Sequence, residues 1–156
     1  EDGAVTDAGE VTLKEVLNDD WDRVIALRRA EGDDRLVASN ACSLAETRIN
    51  IHATALAICV AGEIVGFLMY ERLTEEGRPH AYSIFRLMVD ARHRGRGIAR
   101  AAIRHVIDRL MNDPELELIS ICYVADNAAA RNLYGSLGFK EIGLDEDGEM
   151  IAEFRP

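Results

Sequence analysis

The most informative segment of the sequence is Arg92-His93-Arg94-Gly95-Arg96-Gly97-Ile98-Ala99, which separates an apolar run ending at Val89 from a strongly periodic segment. Glycine lets a backbone approach a ligand closely because it has no Cβ atom, and the first N–H groups of a helix lack partners within that helix. An anion such as a pyrophosphate would bind there. An arginine-rich helix start on a solvated surface explains the same residues, and short glycine patterns arise often by chance. Assigning an anion-binding role to this segment therefore requires further evidence from the rest of the chain.

The segment that follows has the clearest helical pattern in the sequence. Apolar side chains recur every fourth residue in two adjacent rows: Ile98, Ala102, Val106 and Leu110, then Ala99, Ile103, Ile107 and Met111. Such rows form one broad apolar helix face. Asp113-Pro114 ends the helix because proline cannot continue its hydrogen-bond ladder. Residues 118–124 then predict a buried strand, and residues 130–137 predict a short helix capped by Gly138.

The remaining segments predict further strands and helices. The predicted strands are residues 11–15, 54–60, 64–70, 81–89, 140–144 and 150–154. Ala61-Gly62-Glu63 and Asp147-Gly148 predict hairpin turns between neighbouring strands, and residues 71–79 predict a polar loop. One helix is predicted from Trp21 to about Ala30, and a second is predicted to begin with the capping-box pattern Ser43-Leu44-Ala45-Glu46.

A second motif lies beyond the predicted strand 118–124. It reads Asn127-x-x-Ala130-x-x-Leu133-Tyr134-x-x-Leu137-Gly138-Phe139. Together with Arg92-x-x-Gly95-x-Gly97, in this order and spacing, it resembles the two signature motifs of the GNAT superfamily of acetyl-CoA-dependent N-acetyltransferases. The resemblance spans residues 67–139, about half of the chain. It implies a mixed α/β (α+β) fold, in which helices cover both faces of a central, twisted, mostly antiparallel sheet of about six or seven strands.

The resemblance also implies roles for individual residues with acetyl-CoA as co-substrate. The backbone of Leu87, Met88 and Val89 would pair with the pantetheine arm, and an N–H of the same strand would polarise the thioester carbonyl. The pyrophosphate would lie on the loop formed by Arg94, Gly95, Arg96, Gly97, Ile98 and Ala99. Asn127 and Ala130 match residues at the cofactor arm, and Tyr134 matches the tyrosine that protonates the departing thiolate. Tyr134 also has the spacing of an ordinary core aromatic residue.

The base that deprotonates the amine is harder to assign. Many family members carry a glutamate in the strand before the glycine loop, but residues 81–89 contain no acid. The candidates are Glu71, the acids Glu31, Asp33 and Asp34 between the first helices, Asp126, or a water chain leading from them. The sequence leaves these alternatives open.

A finer resemblance suggests the acceptor. The runs Arg35–Asn40, Ser43–Ala45, Gly62–Tyr70 and Phe85–Asp90 are similar to bacterial spermine/spermidine (diamine) N-acetyltransferases. In that case Glu31, Asp33, Asp34 and Glu71 would line an acidic slot for a polycation. Phe85 stands where relatives can have an acidic residue, which would alter the preference for polyamines.

Three functions are therefore compatible with the sequence. The first is direct acetyl transfer, in a ternary complex, to a primary amine of a polyamine. The second keeps this chemistry but uses a protein N-terminus, a lysine or an aminoglycoside as acceptor. The third is an acyl-CoA-sensing module without turnover.

Length and charge fit these expectations. The chain has 156 residues, which suits one domain from residue 11 to 156 after a mobile or trimmed tail of residues 1–10. Its net charge of −10 argues against nucleic-acid binding, although six arginines and one aspartate form a basic island between Arg86 and Arg104. Without a membrane span or secretion signal the expected location is cytoplasmic. A homodimer through the C-terminal strands is compatible with the family.

The cysteines and histidines predict no metal site. Cys42, Cys59 and Cys122 lack paired ligand spacing, and two of them fall inside apolar strands, where buried, reduced thiols are expected. The four histidines are scattered along the chain.

Overall fold

The computed structural model describes residues 4–6, 9–28, 40–47 and 49–156. They form a single sheet of eight strands in the order β1-β2-β3-β4-β5-β6-β8-β7. The strands are β1 (Ala4–Thr6), β2 (Gly9–Glu15), β3 (Ala53–Val60), β4 (Glu63–Leu73), β5 (Arg78–Val89), β6 (Leu118–Val124), β7 (Lys140–Leu144) and β8 (Glu149–Phe154). Only the β5–β6 pair is parallel; the other six pairs are antiparallel. The mixed, mostly antiparallel architecture is confirmed, with one strand more than expected.

Helices lie on both faces of this sheet. They are α1 (Trp21–Ile25), α2 (Asn40–Glu46), α3 (Ile98–Leu110) and α4 (Ala128–Ser136). The predicted apolar face of α3 packs with Tyr134 of α4 in one core cluster, whereas Val24 of α1 and Leu44 of α2 pack in a second cluster. Helix α3 connects the parallel strands β5 and β6, which need such a crossover. It therefore begins at the carboxyl end of β5.

Several predicted boundaries were wrong. Residues 4–6 and 9–10, assigned to a tail, pair in the sheet as β1 and the start of β2. The loop predicted for residues 71–79 includes only residues 74–77. Strands β4 and β5 remain paired up to this loop, with Arg72 opposite Tyr82 and Leu73 opposite Arg78. Helix α1 ends at Ile25, well before Ala30. Ser43 lies inside α2, so it does not begin a capping box there.

The hairpin between β3 and β4 turns through two residues with left-handed backbone. Ala61 has φ of 51° and Gly62 has φ of 77°. Positive φ at both central residues characterises the type I′ turn, whose twist matches that of the strands. Ala61 pays a conformational cost there, since its Cβ atom disfavours this region.

Candidate active site

The sheet opens between its two parallel strands. Strands β5 and β6 pair from Ala81 opposite Leu118 as far as Ile84 opposite Ile121. Beyond that point β6 continues along β8, with Val124 opposite Glu149, and no longer pairs with β5. A cleft therefore opens beside residues 85–89, at the end of β5 that leads into the arginine-glycine loop.

A bulge marks the start of this cleft. Arg86 lies opposite Met69 and Ile84 lies opposite Tyr70, so Phe85 is an extra residue on β5. Past the bulge, Asp90 donates its backbone N–H to the Val65 carbonyl over 2.7 Å. Because alternate residues of a strand direct their backbone groups to opposite edges, the groups of Met88 face β4.

The same alternation points the backbone N–H and C=O of Leu87 and Val89 into the cleft. Of the three residues predicted to pair with a cofactor arm, these two have the required orientation. The third, Met88, instead contributes its side chain to the core cluster under α1 and α2, where its sulfur accepts a hydrogen bond from Asn40 Nδ2 over 3.0 Å.

The arginine-glycine loop follows directly and leads into α3. Gly95 and Gly97 have φ of 75° and 77°, and nothing lies within 4 Å of a Cβ atom built on Gly95. Glycine is therefore required by the backbone conformation of the loop and not by a lack of space around it. Gly97 is the N-cap of the 13-residue helix α3, so the open N–H groups and positive dipole end of that helix face the loop. This arrangement suits a bound pyrophosphate.

The three arginines of the loop, Arg92, Arg94 and Arg96, are exposed. The Arg92 guanidinium also contacts the fully buried carboxylate of Asp90, with Nε 3.0 Å from Oδ1. Asp90 also accepts the backbone N–H groups of Arg92 and Arg28, each over 2.9 Å. These hydrogen bonds, Arg92 first, hold the pKa of Asp90 far below its usual range. The pair therefore anchors the loop to the segment after α1.

Tyr134 lies on α4 with its ring almost fully buried. The ring packs between Tyr123, tilted at 5.5 Å between centroids, and Phe139, edge to face at 5.9 Å. Within the described ranges its hydroxyl has no hydrogen-bond partner. Burial, with a smaller effect of Tyr123, raises the pKa of Tyr134 to about 12. The hydroxyl therefore stays protonated at neutral pH and is available as a donor.

Neighbouring polar contacts position α4. Tyr123 donates its hydroxyl to Glu141 Oε1 over 2.6 Å, and Arg131 donates to the same oxygen over 2.7 Å. Asn127 caps α4, since its Oδ1 accepts the N–H of Ala130 over 3.1 Å. The capping leaves the Asn127 amide NH₂ for another partner.

The opposite face of the bulge carries charges that the sequence pattern did not reveal. Arg86 Nε donates to Ser43 Oγ of α2 over 3.3 Å, and its Nη2 lies 3.6 Å from Glu46 Oε2. At the far end of β4, Glu71 accepts a hydrogen bond from Asn50 Nδ2 over 2.6 Å. Glu46 thus lies beside Arg86 of β5, and Glu71 lies on β4 opposite Ser83 of β5.

Other predictions have different outcomes. Glu31, Asp33 and Asp34 lie outside the described residues. Cys59 is buried as expected, but Cys122 is exposed, so the expectation of a buried thiol there was wrong. No group of three or more metal-ligating side chains occurs among residues 4–6, 9–28, 40–47 and 49–156. Every helix within these ranges is too short or too polar to cross a bilayer.

Comparison with known proteins gives relatives with different acceptors. The L-amino acid N-acetyltransferase AaaT of Escherichia coli (strain K12) is 32% identical over 85 residues, which is 54% of this chain and 52% of the relative. The chain thus aligns with only about half the length of that relative. The spermine/spermidine N(1)-acetyltransferase of Bacillus subtilis (strain 168) is 22% identical over 145 residues, covering 90% of this chain and 95% of the relative.

A solved structure shares the fold. The PaiA N-acetyltransferase of Thermoplasma acidophilum, in complex with coenzyme A, has a TM-score of 0.74 at 13% identity, covering 94% of this chain and 99% of that one. The acetyltransferase (GNAT) family matches residues 14–139. This range contains the cleft, the arginine-glycine loop and Tyr134. The chain therefore belongs to the GNAT family of acetyltransferases, as its two motifs implied.

Proposed function

We propose that this protein transfers an acetyl group from acetyl-CoA directly to a primary amine in a ternary complex. The observation that carries the proposal is the cleft between β5 and β6. It combines the outward-facing backbone groups of Leu87 and Val89 with the glycine loop at the start of α3. An extended pantetheine arm can continue the sheet in such a cleft, and the loop is placed to hold the pyrophosphate.

The chemistry follows from these groups. The neutral amine attacks the thioester carbonyl, whose developing oxyanion is stabilised by a backbone N–H of β5. The C–S bond then breaks and the sulfur leaves as a thiolate. Tyr134 donates a hydrogen bond to this sulfur. A thiol has an ordinary pKa of about 8.5, far below that of Tyr134, so the phenol keeps its proton. The thiolate instead takes the proton that the amine releases, which gives the coenzyme A thiol.

The proposed acceptor is a polyamine or diamine. Glu71 and Asn50 line a cleft of about 150 Å³ that Glu75 and Glu76 also border. Glu46 on α2 adds a carboxylate closer to the bulge. A net charge of −10 attracts polycations to the protein as a whole. The similarity to the spermine/spermidine acetyltransferase over 90% of this chain agrees with this assignment.

A base is also needed, since an alkyl ammonium has a pKa of about 10.4. Glu46 and Glu71 are the described candidates, directly or through water. The proposed slot further includes Glu31, Asp33 and Asp34, which precede α2 in the chain.

One observation favours a second acceptor class. Arg86 presents a partly exposed guanidinium beside the bulge, where a carboxylate-bearing amine such as an α-amino acid would find a partner. The relative that acetylates L-amino acids, by its name, matches about half of this chain.

The test is free-thiol release from acetyl-CoA with spermidine, spermine, a diamine, an L-amino acid, an aminoglycoside and an N-terminal peptide. We expect saturable turnover with a polyamine. Glu71→Gln is expected to raise KM for spermidine about tenfold, the effect of losing one charge-assisted hydrogen bond. Glu146→Gln, on the distant β7–β8 turn, is the matched control.

The other outcomes separate the alternatives. Turnover confined to the amino acid, and lost in Arg86→Gln, would replace the polyamine with a carboxylate-bearing acceptor. Turnover confined to the peptide or the aminoglycoside would likewise reject the polyamine as the acceptor. Tight coenzyme A binding without transfer to any amine would favour a sensing module and reject the enzymatic proposal.

A further inference from the structure

A second cavity lies at the end of α3 away from the arginine-glycine loop. It has a volume of about 690 Å³ and is lined by the last turn of α3 together with the ends of β3, β4 and β5 that lie away from the arginine-glycine loop. The arginine-glycine loop is at the other end of α3, and 13 helical residues span about 20 Å. His52 and Arg72 also line the cleft at Glu71 that is proposed for the polyamine, whereas the other residues that line the cavity take no part in the proposed acetyl transfer.

The floor of this cavity is aromatic. Tyr70 and Tyr82 meet edge to face with their ring centroids 6.3 Å apart, and the buried Leu110 lies beside them. Tyr70 is only 9% exposed, yet its hydroxyl makes no hydrogen bond within the described part of the chain. No fully buried side-chain oxygen there lacks a partner, so the hydroxyl reaches the cavity surface. A polar group held in this way is available to a ligand.

The rim of the cavity is cationic. Arg72 lies over the Tyr82 ring, 5.3 Å from its centroid, and donates to the Tyr82 hydroxyl over 2.7 Å. Its partner is thus neutral. Arg109, in the last turn of α3, has no carboxylate partner among the residues that the structure describes. The Tyr82 hydroxyl in turn donates to Asp113 Oδ2 over 3.3 Å. Two guanidinium groups with no directly bonded carboxylate among the described residues therefore face one cavity of a strongly acidic protein.

The acids nearby are already engaged. Asp113 Oδ2 lies 2.8 Å from His80 Nδ1, and Glu115 Oε2 lies 3.2 Å from His80 Nε2. The negative end of the α3 dipole is offset in part, because the carbonyls of Ile107, Arg109 and Leu110 all accept N–H groups from the residues after the helix. The charge left for a ligand is that of the two arginines.

We propose that this cavity is a second ligand site, which binds a small organic anion through Arg72, Arg109 and the Tyr70 hydroxyl while its planar or apolar body packs on the tyrosine floor. A carboxylate on an aromatic body has this chemistry. Arg109 would pair with the carboxylate, and the Tyr70 hydroxyl would donate to it. The site adjoins the proposed polyamine slot through Arg72 and lies at the opposite end of α3 from the proposed pyrophosphate site.

The test is an NMR titration of the full chain with benzoate, with benzamide as its neutral isostere and inorganic phosphate as the anion without a ring. We expect saturable benzoate shifts at Thr54, Tyr82 and Leu110, and no saturation with benzamide. Phosphate should bind more weakly than benzoate at the same residues. Adding coenzyme A should leave the benzoate shifts in place, because its proposed site lies at the other end of α3.

Two variants test the assignment of the residues. Arg109→Gln should weaken benzoate binding about tenfold, whereas Arg104→Gln, on the exposed side of the same helix, should not change it. Tyr70→Phe keeps the ring and the core and should weaken binding several-fold. The proposal is overturned if benzoate shifts fail to saturate, if they map to residues 94–99, or if both variants bind benzoate like the wild type.

Discussion

Tyr123 and Tyr134 pack with their ring centroids 5.5 Å apart, but among the described residues only the Tyr123 hydroxyl has a hydrogen-bond partner, the Glu141 carboxylate. The two tyrosines therefore have different proposed roles. Tyr123 ties β6 to β7 and fixes the ring against which Tyr134 packs. Tyr134 keeps a free donor in the proposed active site.

Tyr123→Phe should lower stability and leave chemistry largely intact. The loss in stability should be small, because the Glu141 carboxylate is exposed and water and Arg131 can replace the phenol as donors. Urea denaturation measures the loss, and kcat should stay within a few-fold of the wild type. A large fall in kcat with unchanged stability would assign the catalytic donor to Tyr123.

Asp90 should stabilise the protein in a pH-dependent way. Its folded pKa is lowered, so its contribution is complete above its unfolded pKa of about 3.9 and is lost as the pH falls from there toward the folded pKa. Asp90→Asn should lower the free energy of unfolding by about 2 kcal/mol or more near neutral pH. The buried amide would accept weaker hydrogen bonds from the Arg92 guanidinium and from the backbone N–H groups than the carboxylate does. The difference between the two proteins in urea midpoint should narrow below about pH 4. A difference that is constant with pH would contradict this role.

Gly66 should tolerate no side chain. A Cβ atom there would lie 2.7 Å from the Met88 carbonyl oxygen and 3.0 Å from Ile58 Cδ1, so β4 and β5 would have to separate. Gly66→Ala should destabilise the fold by about 1–3 kcal/mol. Gly135→Ala is the matched control, since nothing lies within 4 Å of its Cβ position and alanine favours the helix by about 0.5–1 kcal/mol. Equal thermal midpoints for the two variants would contradict the close approach.

Replacing Ala61 by asparagine should stabilise the protein. Its φ of 51° suits asparagine better than alanine, and Asn-Gly is the preferred type I′ pair. Ala61→Asn should raise the free energy of unfolding by about 0.5–1 kcal/mol, whereas Gly62→Ala should lower it. Chemical denaturation of both variants checks the opposite signs.

The sequence was most informative where one local pattern decides the structure. The predicted bounds of β6 and β7 agree with the structure, and α3 was predicted to within one residue because its apolar rows repeat at helical spacing. Strand β1 was missed because Ala4–Thr6 is too short to show a pattern. The end of α1 was misplaced because no proline or glycine marks Ile25.

The sequence predicted only those residues of the site that belong to the two motifs. Asp90 matters because it bonds to Arg28, 62 positions away in the chain, and no local pattern reveals such a pair. Arg86 meets Ser43 across 43 positions for the same reason. The cavity under Arg109 depends on side chains from three strands and one helix. Contacts of this range follow from the fold and not from spacing.

The decisive experiment compares wild type with Tyr134→Phe in single-turnover acetyl transfer from acetyl-CoA to spermidine. We expect unchanged affinity for acetyl-CoA and a transfer rate lowered about 100-fold, with the β5–β6 cleft still able to bind the cofactor. An unchanged transfer rate in the variant would contradict the role of Tyr134, and a rate lost together with acetyl-CoA affinity would make Tyr134 a structural residue.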